Sequence, residues 1–197
     1  MITLLAFILL TIFLIMKLNN VIGMKVGFIV EKESIPDFEK KIVEEILTVD
    51  SKIALVKAHY KNFQLDDFLA KAQKAFEIIF KAYSSGDKVT LKELLSQRTF
   101  AAFSLAIEDR DKRGESLSGS IEGFSSTEFI DAEISNEVIY VTVRFVTAQT
   151  NVLRDASGMI LEGSPDFVEN RTDVWVFSHA IRANDNRWLL HEIKSED

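Results

Sequence analysis

The chain opens with its longest uncharged apolar stretch. Met1 to Met16 carries no charged residue, and the residues up to Ile22 add further apolar positions after Lys17. Sixteen helical residues would measure about 24 Å, slightly short of a hydrocarbon core of about 30 Å, and a lysine can extend its amine to the interface. We therefore predict a transmembrane helix, acting as a membrane anchor, over residues 1–22.

Two other interpretations of this segment are less favoured. A cleaved secretory signal needs basic residues before the apolar run and a small-x-small site after it, and neither pattern occurs here. A buried core helix of this length would be unusual without a single charge. Lys17 and Lys25 follow the run and no basic residue precedes it, so the positive-inside rule predicts that the rest of the chain lies on the cytoplasmic side.

Residues 23–62 are predicted to form a charged spacer. Gly23, Gly27 and Pro36 interrupt its first part, and charged residues crowd positions 31–45. Apolar positions around residues 42–47 and 53–56 predict two short amphipathic helices. Such helices could lie on a membrane, dock on a partner or pack as accessory helices, and the pattern does not separate these cases.

A helical period of three to four residues begins at Gln64. Gly86 is suited to the left-handed position after a helix end, and Thr90 and Glu93 have the spacing of a capping box for a second helix. A third helix is predicted over the stretch that carries Phe100. The apolar stripe of the first helix consists of Leu65, Phe68, Leu69, Ala72, Phe76, Ile79, Phe80 and Tyr83.

After Gly114 the apolar period shortens toward two, as in strands. Residues 154–165 contain two glycines and a proline, which predicts a long hairpin connection. Helices followed by an antiparallel meander predict an α+β domain, with the helices against one face of a curved sheet. Strands are predicted over residues 121–134 (one or two short pieces), 138–146, 174–181 and 188–193.

Composition narrows the class of protein. The chain has 197 residues, which suits one domain with an appendage, and its net charge of -7 argues against nucleic acid as the main partner. Cysteine is absent, which excludes disulfide scaffolds, thiol catalysis and cysteine-bound metals. Phosphate-binding glycine loops, the H-E-x-x-H motif and the nucleophile elbow are missing too. We predict no cofactor and no metal site.

One further set of residues is informative through its order and spacing. Its members are Lys17, Leu18, Val21, Ile22, Gly23, Lys25 and Gly27, then Phe68, Leu69, Ala72, Ala75, Phe76 and Ile79, then Gly86, Asp87, Leu91, Leu94, Leu95 and Ser96, then Phe103 to Arg110, and finally Val141, Val143, Phe145, Asp155, Gly158, Glu162, Gly163, Asp173, Trp175, Phe177, Trp188 and Leu190. No single element is specific, but together they resemble the Tim44-like family in its bacterial, membrane-anchored TimA form. The resemblance covers nearly the whole chain and is densest from Phe63 onward.

This resemblance implies an NTF2-like cone over residues 63–197, in which helices pack on a strongly bent antiparallel sheet around an apolar pocket. Mitochondrial relatives tether an Hsp70 chaperone to the protein-import channel at the inner membrane. The resemblance therefore implies a membrane-anchored adaptor that binds proteins and is not an enzyme, with an Hsp70-type chaperone or an inner-membrane assembly or translocation complex as partner. It also implies a single-pass protein of the bacterial inner membrane with its C-terminal domain in the cytoplasm.

A pocket protein is the alternative function. The candidate pocket or partner-binding residues are Phe76, Phe80, Phe103, Phe145, Trp175 and Trp188. They could enclose a cavity for a lipid or small molecule, or fill a core, and the sequence leaves both open.

An enzyme built on that pocket would use a titratable group. Asp173 and His179 alternate on one strand face, and a desolvated carboxylate or a histidine could serve as a base of an isomerase or dehydratase. A metal site would need His179, His191 and a third ligand such as Asp173 or Glu192. Core packing and hydrogen-bonded histidines are the more common outcome in both cases.

A run of acidic positions forms a last candidate surface. Glu128, Asp131 and Glu133 could dock a basic partner, although such a run is more often a solvated sheet edge.

Overall fold

The structure is a computed structural model that describes residues 49–194. Within that part of the chain four helices precede five strands, which confirms an α+β domain. The predicted anchor and the first part of the predicted spacer lie outside the described residues. None of the helices between residues 49 and 194 is long and apolar enough to cross a membrane. The elements are α1 (Val49–His59), α2 (Leu65–Ser85), α3 (Lys88–Leu94), α4 (Gln97–Lys112), β1 (Ser116–Ser135), β2 (Val138–Arg154), β3 (Ile160–Gly163), β4 (Glu169–Ala180) and β5 (Leu189–Lys194).

The five strands form one antiparallel sheet in the order β1-β2-β4-β5. β1 is a single strand of 20 residues and pairs along the whole of β2, which continues to Arg154, beyond the end predicted at 146. Because β1 occupies one edge of β2, the short β3 pairs with the end of β2 on the same side as β4. Three bulges in β1 increase the bend of the sheet.

Strand register assigns the side chains of β2 and β4 to two faces. Residues that oppose each other in an antiparallel pair share a face, and Val143 opposes Trp175 while Phe145 opposes Asp173. We call this the inner face, because its apolar residues pack against the helices in the hydrophobic core. The fully buried inner-face residues of β2 are Ile139, Val141, Val143, Phe145 and Thr147.

Helix α2 lies on the inner face through the apolar stripe that its sequence predicted. Phe68, Phe76 and Ile79 are buried, and burying such a side chain contributes about 1.5–3 kcal/mol. The helix ends as predicted at Gly86, which has a φ of 74° and whose amide donates to the carbonyl oxygen of Tyr83 at 3.3 Å. The left-handed conformation of this residue turns the chain toward α3.

The start of α3 differs from the prediction. Asp87 caps the helix, since its carboxylate accepts hydrogen bonds from the amides of Val89 and Thr90, each at 3.1 Å. The predicted capping box of Thr90 and Glu93 is therefore wrong. Aspartate is the stronger capping residue, and a helix that begins at Lys88 carries Leu91 fully buried into the core.

Arg110 of α4 is a buried cation that ties two helices together. Its Nη2 donates to the carbonyl oxygens of Tyr83 and Ser84 at 3.0 and 3.2 Å, and its guanidinium lies 5.3 Å from the centre of the Tyr83 ring. The last carbonyls of a helix have no partner within it and carry partial negative charge. Arg110 therefore stabilises the end of α2 from α4.

Helix α1 falls within the segment predicted as a spacer. Its Val56 is fully buried in the core, and Lys52 forms an ion pair with Asp131 of β1. The sequence left open whether this helix lies on a membrane, docks on a partner or packs as an accessory helix. In the structure it packs against the domain.

Candidate functional site

The six predicted pocket residues fall into separate groups. Phe76 stacks on Trp175 with ring centres 4.4 Å apart, and Phe145 lies 5.0 Å from Phe76 and 5.7 Å from Trp175. Trp188 instead stacks on His179 at 5.3 Å. These rings contact one another, which is how side chains fill a core.

The other two predicted pocket residues have other ring neighbours. Phe103 contacts the ring of Tyr83 at 5.1 Å, and Phe80 lies beside Gly119 of β1. Three of the six rings thus contact one another directly, while Phe103 belongs to the same hydrophobic core and Trp188 packs against it. That these six residues bind a ligand or a partner stays a prediction.

Beyond Phe145 the inner face changes from apolar to polar. Thr147 and Gln149 of β2 are buried, and the Gln149 amide donates to the Thr147 hydroxyl at 3.3 Å. Opposite them on β4 lie Arg171 and Glu169. We use the name carboxylate patch for four residues at this end of the sheet. They are Glu162 of β3 and Glu169, Arg171 and Asp173 of β4.

The carboxylate patch has more negative than positive groups. Burial raises the pKa of the Asp173 carboxyl and that of Glu162, and in both cases nearby Arg171 opposes the rise. Arg171 also lies 3.9 Å from the carboxylate of Glu169. The guanidinium of Arg171 therefore interacts with three carboxyl groups. Two of them, those of Glu162 and Asp173, ionise less readily than usual.

Two buried polar atoms have no hydrogen-bond partner among the described residues. One is the indole Nε1 of Trp175, a residue that is 5% exposed and lies in the hydrophobic core. The other is Oε1 of Glu162. Leaving a buried donor or acceptor unpaired costs about 1–3 kcal/mol, so each atom is a place where an ordered water or a ligand group would be stabilised.

The predicted alignment of Asp173 and His179 on one face is confirmed by the register. Six residues of extended strand separate them by about 20 Å, so they cannot act on one reacting atom. His179 is committed to packing, because its Nδ1 lies 2.9 Å from the carbonyl oxygen of Arg187 and its ring stacks on Trp188. The arrangement gives no acid–base pair.

The two strand histidines also do not meet. His191 packs its ring against Tyr140, which lies on the outer face, whereas His179 lies on the inner face. Burial lowers the pKa of His191. Among residues 49–194 no group of His, Asp and Glu side chains is arranged to hold a metal ion.

The predicted acidic positions lie on the outer face and are partly neutralised. Glu128 pairs with Arg144, and Asp131 pairs with Lys52. Glu133 lines a shallow groove of about 270 Å³ whose other polar side chains include Lys194. These pairs are consistent with a solvated surface as well as with docking.

An exposed apolar surface was missed by sequence reasoning. It lies in the connection between β2 and β4 and comprises Met159, Ile160, Leu161, Phe167 and Val168, of which Met159 and Phe167 are 62% and 67% exposed. We call residues 155–168 the apolar hairpin. The available signal was five large apolar residues within ten positions of a segment rich in turn residues.

The apolar hairpin is held in shape by its own polar contacts. The Asp155 carboxylate accepts from the amides of Ser157 and Met159 at 2.8 and 3.0 Å. Gly163 has a φ of 79° and passes so close to Asn151 that a Cβ would lie 1.9 Å from its carbonyl oxygen. Only glycine fits there. Met159, Ile160 and Leu161 are therefore presented by an ordered turn and a paired strand.

Comparison with known protein families shows which family this domain belongs to. The family model described as the Tim44-like domain matches residues 49–195, which is most of the chain. The chain belongs to the Tim44-like domain family. The match is to the domain family as a whole, and the bacterial TimA form stays a prediction.

Curated relatives of this Tim44-like chain come from mitochondrial import and from ribosomes. Large ribosomal subunit protein mL45 of Drosophila melanogaster is 26% identical over 141 residues, covering 70% of this chain and 38% of the relative. The mL45 protein of Caenorhabditis elegans is 25% identical over 142 residues, covering 68% and 39%. Mitochondrial import inner membrane translocase subunit TIM44-1 of Arabidopsis thaliana is 22% identical over 141 residues, covering 72% and 30%.

The chain thus spans well under two thirds of the length of these relatives. Their names denote subunits of a ribosome and of a translocase, and neither name denotes an enzyme. Among solved structures, the intermembrane space region of chloroplast protein ARC6 is 12% identical, with a TM-score of 0.44 over 64% of this chain and 94% of that one.

Proposed function

We propose that this protein is a membrane-anchored adaptor that binds other proteins through its Tim44-like domain. The apolar hairpin is the observation that carries the proposal. Soluble domains rarely expose a contiguous apolar surface of this kind unless it serves an interaction. Five large apolar residues are exposed within ten positions of the chain there, whereas Val89 of α3 has no other exposed large apolar residue near it in the sequence.

The rigid presentation of the hairpin supports binding rather than disorder. Because Asp155 and the β2–β3 pairing order the turn before any partner arrives, binding does not bear the full entropy cost of ordering it. Phe and Met, here Phe167 and Met159, are enriched at protein interfaces.

The predicted anchor gives the adaptor its place of action. Residues 1–22 would hold the domain, which we propose to be an NTF2-like cone, at the cytoplasmic side of a bacterial inner membrane. Tethering raises the effective concentration of the domain toward membrane-bound partners without any new contact. The curated relatives are named as subunits of larger assemblies. We propose by analogy an Hsp70-type chaperone or an inner-membrane assembly complex as partner.

Photo-crosslinking of the full-length chain in intact membranes tests the adaptor role. A photoreactive phenylalanine at Phe167 should crosslink a small set of proteins that mass spectrometry identifies. The same probe at Val89, which is exposed but isolated, is the matched control. Identical crosslinks at both positions, or none at Phe167 above background, would count against the proposal.

The anchor is tested separately by fractionation. Deleting residues 2–17 should release the protein from membranes washed in high salt. If the shortened protein still sediments with membranes, the anchor is not what holds it there.

A further inference from the structure

The groove on the outer face of the sheet is built by strand register. Asp131 of β1 opposes Thr142 of β2. Thr142 also opposes Val176 of β4, which in turn opposes Glu192 of β5. Neighbouring strands lie about 4.8 Å apart, so this row spans about 14 Å, with short side chains in the middle and a carboxylate at each end. We use the name outer groove for the space of about 270 Å³ above this row, which Glu133 and Tyr140 also line.

Thr142 places an unpaired hydroxyl at the floor of the outer groove. The residue is 8% exposed, and its side chain makes no hydrogen bond with residues 49–194. A buried hydroxyl without a partner is destabilising, and valine at this position would avoid that penalty. The side chain lines the groove, so a group bound there can pair with the hydroxyl.

The charges of the outer groove favour a cation. Lys52 pairs with Asp131, whereas Glu133 and Glu192 have no ion-pair partner in the described part of the chain. Burial lowers the pKa of His191, so its ring is neutral at pH 7 and adds no positive charge. The charged groups that line the groove are three carboxylates and one ammonium, those of Asp131, Glu133, Glu192 and Lys194.

We propose that the outer groove receives an arginine side chain from a protein partner. The inference rests on the proposed adaptor function and gives the domain a second contact surface of defined chemistry. The guanidinium would donate to the Thr142 hydroxyl at the floor and to the carboxylates at the walls. The ring of Tyr140 offers an aromatic surface on which a guanidinium can stack.

Size and chemistry favour this occupant over others. Sites for small molecules typically measure about 300–1,000 Å³, and this groove is smaller, which suits a single side chain. No group of His, Asp and Glu side chains within residues 49–194 is arranged to hold a metal ion. An anion would be repelled by the excess of carboxylates. Arginine has five donors in one plane, which matches acceptors spread across a groove better than the single ammonium of lysine does.

Binding of defined peptides to the full-length chain in phosphatidylcholine nanodiscs tests the proposal. The probe is a fluorescein-labelled peptide of three Arg-Ser units, followed by fluorescence anisotropy. One twin has citrulline, which is uncharged, in place of every arginine, and others have lysine or glutamate. We expect the citrulline twin to bind at least about tenfold more weakly, which is 1.4 kcal/mol. Equal binding of the citrulline twin would overturn the need for a cation, and equal binding of the lysine twin would overturn the assignment to arginine.

Three variants localise the effect. Thr142→Val should weaken the arginine peptide about threefold while the melting temperature stays the same or rises, because the hydroxyl makes no hydrogen bond within the described fold. Glu192→Gln should also weaken it. Glu77→Gln removes the same charge from α2, which lies on the other side of the sheet, and should leave binding unchanged. Equal weakening by the two glutamine variants would show a general charge effect and overturn the inference.

A charge reversal keeps the result independent of folding. Glu192→Lys should lose the arginine peptide and gain the glutamate twin, a gain that a misfolded variant cannot produce. If the outer-groove variants bind the arginine peptide as the native chain does, and the crosslinks at Phe167 persist, this inference fails while the adaptor function stands. Absence of crosslinks at Phe167 in the native chain is instead a failure of the adaptor function itself.

Discussion

Replacing Gly163 with alanine should detach β3 and the apolar hairpin from the sheet. Gly163 has a φ of 79°, and a Cβ there would lie 1.9 Å from the carbonyl oxygen of Asn151 and 2.9 Å from its carbonyl carbon. The positive φ strains any residue with a side chain. The short distances from the Cβ are a collision with backbone atoms, which no change of rotamer can relieve.

The two costs can be estimated separately. Holding alanine in the left-handed region costs about 1 kcal/mol. Forcing a methyl group into occupied space typically costs about 1–3 kcal/mol. The substitution should therefore cost about 2–4 kcal/mol. Because β3 pairs with β2 only at residues 152–154, this cost can be avoided by local opening rather than by global unfolding.

Hydrogen exchange of the full-length chain, read by mass spectrometry, is the suitable assay. Gly163→Ala should increase exchange at residues 152–154 and 160–163. Gly158→Ala is a matched control, since Gly158 has a φ of 84° but open space around it, and should show the strain cost alone. Gly123→Ala, with open space and no positive φ, should be close to neutral.

The reasoning would be refuted by a simple result. If Gly163→Ala and Gly158→Ala changed exchange in the hairpin equally, the collision with Asn151 would contribute nothing. Thermal unfolding followed by the fluorescence of the chain's two tryptophans gives a second reading. About 2–4 °C is expected per kcal/mol of global stability at this size. A large drop in melting temperature with unchanged local exchange would also contradict local opening.

Three further predictions concern buried or capping charges. The folded-state pKa of Asp173 is raised, so its protonated form contributes stability at low pH that is lost as pH rises through that pKa. Asp173→Asn should therefore melt higher than the native chain at pH 7, with the gap closing at low pH. Arg110→Ala should lose about 2–3 kcal/mol in urea unfolding, and Arg110→Lys should recover only part, since one ammonium replaces a fork of donors. Asp87→Ala should lower the urea midpoint by removing the cap, whereas Asp87→Ser, which keeps a capping oxygen, should change it little. An equal cost for alanine and serine would argue against capping.

Local patterns were enough to predict most of the architecture. The apolar stripe of α2, its end at Gly86 and the alternation along β2 are each set by neighbours within a few residues. Periodicity reports which side of an element is apolar, so α2 and the core of β2 could be recognised without knowing what they pack against. The same patterns supported the family resemblance, which the match over residues 49–195 confirms at the level of the Tim44-like domain.

Boundaries and caps were harder to predict from the sequence. Thr90 and Glu93 have the spacing of a capping box, yet Asp87 begins the helix because that start carries Leu91 into the core. Arg110 lies in a run of charged residues from Glu108 to Arg113, and nothing in that local pattern marks it as buried. Its burial depends on the carbonyls of α2, which lie more than 20 residues earlier in the chain.

Local sequence pattern was enough for the order of elements, the apolar side of each element and the family. That Glu162, Arg171 and Asp173 share one face follows only from the folded sheet. Strand register sets that meeting, and register is fixed by pairing between distant segments. The burial that shifts the pKa of Asp173 likewise comes from neighbours that local sequence does not specify.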